Sequence, residues 1–139
     1  MAQVALKRDV MMMFLFIALG GALGAVSRYA IGLAITAQFG AGFMPLATLS
    51  VNVVGSALMG FCFACLGTGL ALSDPMRGFV MVGFLGALTT FSSFSLDTIA
   101  LIEKGQVLVG LGYIIGSVLL SLMAFVVVMA ITRHMITGH

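Results

Sequence analysis

Four stretches, residues 10–35, 44–67, 78–102 and 107–132, fill most of the 139-residue chain, and Arg28 and Asp97 are the only charged residues inside them. A helix of about 20 apolar residues crosses the hydrocarbon core of a bilayer, so each stretch is long enough to span. At 62% hydrophobic and 7% charged residues the chain is excluded from the ordinary soluble class. It reads as one all-α integral membrane domain over residues 1–139. The opening Lys7-Arg8 followed by an apolar run resembles a signal peptide, but the run continues past Tyr29 to Ile35, too long for a cleaved core of roughly 7–15 residues. A net charge of +2, scattered along the chain, leaves no footprint for nucleic acid.

The third span departs from a plain membrane helix. Its centre holds Gly83 and Gly86, the hydroxyl residues Thr89, Thr90, Ser92, Ser93 and Ser95, and the phenylalanines Phe91 and Phe94. That composition predicts a helix broken between Thr90 and Phe91, close to the middle of the span. In lipid such a break is tolerated only where the freed backbone groups face protein, water or an ion. The break is therefore the first candidate ion site.

The other spans carry polar residues at four-residue spacing, which places them on one helical face. Thr48, Asn52 and Ser56 line up on the second span, and Tyr113, Ser117 and Ser121 on the fourth. Asn52 either lines a polar path or hydrogen-bonds a neighbouring helix, a use worth about 1 kcal/mol. Arg28, roughly 27 Å beyond Val10 along the first helix, either snorkels to headgroups or lines an anion vestibule. Gly20 and Gly24 on the first span, and Gly112 and Gly116 on the fourth, have the spacing that allows close helix packing. One polar stripe is ordinary helix glue. Three stripes with a central break argue for a polar path through the membrane. Cys62 and Cys65 form a C-x-x-C inside an apolar helix with no second pair nearby, and read as small packing residues.

Gly24-Ala25-Val26-Ser27-Arg28-Tyr29, Thr48-Leu49-Ser50-Val51-Asn52-Val53-Val54-Gly55, and the third-span run from Gly83-Phe84-Leu85-Gly86 through Thr89-Thr90-Phe91-Ser92-Ser93-Phe94-Ser95 closely resemble the Fluc family of fluoride channels. The resemblance covers all four spans in order. It implies a fluoride channel of the bacterial plasma (inner) membrane that exports fluoride passively, with no enzymatic step, as an antiparallel dual-topology homodimer with two pores. Carried over by residue, it places Asn52, Phe91, Phe94 and Ser93 along the pores, Tyr113, Ser117 and Ser121 in a polar track, and Thr48 and Arg28 towards an aqueous vestibule. It also implies one structural sodium ion at the dimer centre, held by the backbone carbonyls of Gly86 and Thr89. The donors make chemical sense of this, because a small hydrated anion enters only where amide and hydroxyl hydrogens or positive ring edges replace its water.

Two features depart from the family pattern. Asp97 stands where the family usually has Glu, keeping the charge on a shorter stem. With an even number of spans both termini share a side, and that side carries Lys7, Arg8, Arg77 and Arg133 against Lys104 opposite. The positive-inside rule favours one orientation for such a chain, so an oppositely oriented paralogue is the alternative to a homodimer. The rival functions are a small multidrug transporter subunit, which wants a carboxylate where the first span has Arg28, and a non-transporting assembly subunit whose stripes only bind helices.

Overall fold

The computed structural model describes residues 2–67 and 72–138, with side chains from Arg8 onward. Among these residues all regular structure is helical: α1 (Ala2–Phe39), a short turn of 3₁₀ helix (Ala41–Phe43), α2 (Met44–Gly67), α3, which runs through Asp74–Arg77, Gly78–Leu85 and Gly86–Leu88, then α4 (Phe91–Glu103) and α5 (Val107–Thr137). Four spans, Arg8–Phe39, Ala41–Gly67, Asp74–Glu103 and Val107–Thr137, are long and apolar enough to cross a membrane. The outer helices run past the apolar stretches at their ends, since a helix needs backbone bonding rather than hydrophobicity to continue. Residues 68–71, on which part of the expected second connection falls, lie outside the described residues.

Glycines set how the helices meet. A methyl group added at Gly20 or Gly24 would overlap the carbonyl oxygen of Phe79 or Phe84, and one at Gly83 would come 2.6 Å from the carbonyl of Ile17. The backbones of α1 and α3 therefore lie in direct contact and run parallel, an approach that only small residues permit. Gly60 meets the backbone of Phe125 in the same way, tying α2 to α5. The expected close packing at Gly112 and Gly116 is not found within the subunit. Among the described residues nothing lies within 4 Å of a side chain built at either position, because α5 meets α2 and α4 through other faces.

The buried core is small: Val51, Leu85 and Leu88, flanked by Met59, Cys62, Val80 and Phe84. Cys62 is thus one of the packing residues around the core. Only 6% of the most apolar window of α5 is buried, against 22% for that of α2, so α5 is peripheral and α2 central. Burial of this extent leaves the outer helix faces to lipid or to another subunit.

The third span is built unevenly. Gly78–Leu85 winds in wider π-type turns, a geometry that is rare and concentrates at functional sites. The helix then tightens, with the Gly86 amide donating to both Met81 and Gly83, and stops at Leu88. Thr89 (φ −77°, ψ 153°) and Thr90 (φ −153°, ψ 124°) are extended before α4 starts at Phe91.

Candidate functional site

The extended pair Thr89 and Thr90 leaves the last carbonyls of α3 and the first amides of α4 without helical partners, and what those groups bond to instead defines the site. Thr89 donates from its amide (3.1 Å) and its hydroxyl (2.9 Å) to the Leu85 carbonyl. Arg28 Nε donates to the Ala87 carbonyl at 3.1 Å. Asn52 takes Thr90 as a pair, its Nδ2 donating to the Thr90 carbonyl at 3.1 Å and its Oδ1 accepting the Thr90 amide at 2.8 Å. Thr90 in turn caps α4, its hydroxyl accepting from the Ser93 amide at 3.1 Å, the ordinary N-cap arrangement. Among the described residues the carbonyls of Gly86, Leu88 and Thr89 accept no hydrogen bond. Gly86 and Thr89 line a groove, and bare carbonyls at an interrupted helix are hard oxygen donors of the kind that suit an alkali cation.

That groove, about 510 Å³, opens on the surface of the subunit. Asn52, Ser56, Gly86, Thr89, Phe91, Phe94, Ser117 and Ser121 line it. Phe91 is 77% exposed while Phe94, its ring centroid 5.3 Å away, is buried. Ser117 is buried and its hydroxyl oxygen has no hydrogen-bond partner among the described residues. An unsatisfied buried hydroxyl is costly and calls for an explanation. Asn52 spends one of its two amide hydrogens on Thr90, so the second remains for the groove.

A second cavity, about 240 Å³, is lined by Arg28, Tyr29, Thr48, Ser93, Leu96 and Asp97 among others. Arg28 Nη1 donates to Ser93 Oγ at 3.4 Å. Thr48 donates to Asp97 Oδ2 at 2.6 Å, and the Tyr113 hydroxyl reaches the same oxygen at 3.3 Å. The Tyr113 ring stacks on Phe94 at 5.4 Å. The residues singled out from the sequence therefore divide between two spaces. Asn52, Phe91, Phe94, Ser117 and Ser121 face the groove with Gly86 and Thr89, whereas Arg28, Thr48 and Ser93 face the cavity. Tyr113 lines neither and joins them through Phe94 and Asp97.

Two members of this constellation, Ser56 and Asp97, are not among the residues that the family resemblance places along the pores or in the vestibule. Ser56 lines the groove one turn beyond Asn52 and was legible as the next residue of that stripe. Asp97 is buried and accepts the hydroxyls of both Thr48 and Tyr113. Its signal was its position as the only carboxylate inside the apolar spans, since a buried charge requires partners. Among the described residues no group of three or more His, Cys, Asp or Glu converges.

Residues 15–129 match the model of the family described as CrcB-like protein, Camphor Resistance (CrcB). The chain is 47% identical over 122 residues, 88% of its length and 97% of the relative's, to the Fluoride-specific ion channel FluC of Rhizobium meliloti (strain 1021). It is 49% identical over 118 residues, 85% of its length and 92% of the relative's, to the protein of the same name from Hahella chejuensis (strain KCTC 2396). A third, from Vibrio campbellii (strain ATCC BAA-1116), is 53% identical over 90 residues, 65% of this chain and 70% of that one. A match over this much of the chain, on a helical membrane fold with a polar interruption in its third span, places the protein in the CrcB family.

Proposed function

We propose that this chain is a subunit of a fluoride-selective channel that lets fluoride leave the cytoplasm passively across a bacterial inner membrane. The observation that carries the reading is the 47% identity over nearly the whole length of a protein named as a fluoride-specific channel. No nucleophile, base or metal cluster is needed, because the work is conduction.

The site supplies the parts such a channel requires. Fluoride is small and strongly hydrated, so entry into a low-dielectric space demands hydrogen donors. The groove offers the second Asn52 amide hydrogen and the hydroxyls of Ser56, Ser117 and Ser121, and the rings of Phe91 and Phe94 share its lining, where a positive ring edge would serve as a weaker donor. The orphaned Ser117 hydroxyl is satisfied once an anion accepts from it. Thr48 and Tyr113 already donate to Asp97, so in this arrangement they hold the wall of the second cavity instead of donating to the ion.

The Gly86 and Thr89 carbonyls fit a resident sodium ion. Bound there, sodium would supply a fixed positive charge that offsets the cost of bringing an anion into low dielectric. With the interruption at Thr89 and Thr90 near the midplane, Gly86 and Phe91 exposed, and α5 little buried, two antiparallel copies facing each other across this surface complete the reading as a dual-topology homodimer.

Expression in a bacterium stripped of its own fluoride exporter tests the function. Restored growth in fluoride, without gained tolerance to cationic drugs, is the expected result. Drug tolerance without fluoride tolerance would favour a transporter instead.

A further inference from the structure

We propose that Arg28 is a positioning residue that sorts the oxygens around the break, removing one carbonyl from the cation side and turning one hydroxyl into a donor on the anion side. The inference rests on the fluoride reading for its two ions, but its geometry stands apart from it.

Arg28 follows Gly24 by one helical turn, and the missing side chain at Gly24 lets α1 lie on the Phe84 carbonyl. The guanidinium consequently arrives at the C-terminal end of α3, where the helix dipole already favours a cation. Nε takes the Ala87 carbonyl at 3.1 Å. Ala87 lies between Gly86 and Leu88, whose carbonyls stay free of hydrogen bonds, so the contact subtracts one oxygen from a run that would otherwise present several. A cation site keeps a defined set of ligands only if the others are occupied.

The other end of the fork acts on Ser93. Its oxygen accepts from Arg28 Nη1 at 3.4 Å and from the Thr90 hydroxyl at 3.2 Å. A serine oxygen has two lone pairs and one hydrogen. With both lone pairs engaged, Ser93 has only its hydrogen left to turn into the second cavity, which it lines. Without Arg28 the hydroxyl is free to rotate and present its oxygen, which repels an anion. The role depends on two donors at fixed separation in one plane, which Arg has and the point charge of Lys lacks.

A cation that acted only by its field would behave differently, and the comparison of Arg28→Lys with Arg28→Gln separates the cases. Both variants, with Ser93→Ala and the double Arg28→Gln/Ser93→Ala, are purified, reconstituted in liposomes for fluoride efflux at low and high ionic strength, and followed by amide hydrogen exchange. Arg28→Lys and Arg28→Gln are expected to lose flux alike, by about tenfold or more, the scale of one charge-assisted hydrogen bond. Exchange across residues 85–93 rises in both while α2 and α5 stay protected, and the double variant loses no more than Arg28→Gln alone. Near-normal flux in Arg28→Lys, or an Arg28→Gln defect that disappears at high salt with exchange unchanged, would overturn the proposal. If the unmodified protein passes no fluoride, the fluoride reading fails, and the exchange pattern alone judges Arg28: equal loosening in Lys and Gln supports it, none contradicts it.

Discussion

Asn52 holds Thr90 by both of its backbone groups, the amide donating to the carbonyl at 3.1 Å and the side-chain oxygen accepting the N–H at 2.8 Å. A side chain 38 residues away thereby replaces the pairing that the interrupted helix gives up, and the break has a defined shape instead of a range of shapes.

Replacing Asn52 with Asp keeps the acceptor and loses the donor, setting a carboxylate oxygen against the Thr90 carbonyl. Fluoride flux should fall at least tenfold, with a stability loss of about 1–3 kcal/mol from the broken, half-buried pair. Thermal unfolding in detergent and liposome efflux measure the two effects, and wild-type flux in Asn52→Asp would remove Asn52 from the path.

Gly55 is the counterpart contact. A methyl added there would overlap Cγ2 of Thr89, so Gly55→Ala should displace Thr89 and lower flux, at a cost of about 1–3 kcal/mol for overpacking. Thr89→Ser removes the clashing methyl while keeping the hydroxyl. The double variant Gly55→Ala/Thr89→Ser should therefore recover much of the flux that the single one loses. Failure to recover would show that Gly55 matters for some other reason.

Ser117 gives a prediction of opposite signs. Its hydroxyl is buried and has no hydrogen-bond partner among the described residues, so Ser117→Ala should leave stability unchanged or raise it by about 1 kcal/mol. Flux should fall several-fold, because the anion loses a donor. A destabilised Ser117→Ala protein would mean that the hydroxyl has a partner inside the assembly.

Helix packing yields a paired comparison. Gly24→Ala forces a methyl into the backbone of Phe84, whereas Gly112→Ala meets nothing within the subunit. The first should unfold or strongly destabilise the protein and the second should leave subunit melting unchanged. Equal sensitivity would contradict the placement of α1 against α3.

How much of this was legible beforehand follows from what sequence patterns encode. Apolar length found the four spans, and four-residue spacing put Asn52 with Thr48 and Ser56 on one face. Spacing names a face but not a partner, so neither the grip of Asn52 on Thr90 nor the convergence of Thr48 and Tyr113 on Asp97 was readable. The glycines illustrate the same limit: Gly20-x-x-x-Gly24 and Gly112-x-x-x-Gly116 look alike in sequence, and only the first pair meets a backbone. Gly78–Leu85 winds in π-type turns, invisible in an apolar run that reads the same in any helix type. Arg28 stood between headgroups and a vestibule in the sequence, and its reach to Ala87 depends on how closely Gly24 lets α1 approach.

Fluoride efflux from liposomes containing the purified protein, read with a fluoride electrode while potassium and valinomycin set the voltage, tests the central claim most directly. The account predicts rapid fluoride loss with chloride retained, from this chain alone. Well-folded protein that releases no fluoride, alone or co-expressed with an oppositely oriented paralogue, would contradict it.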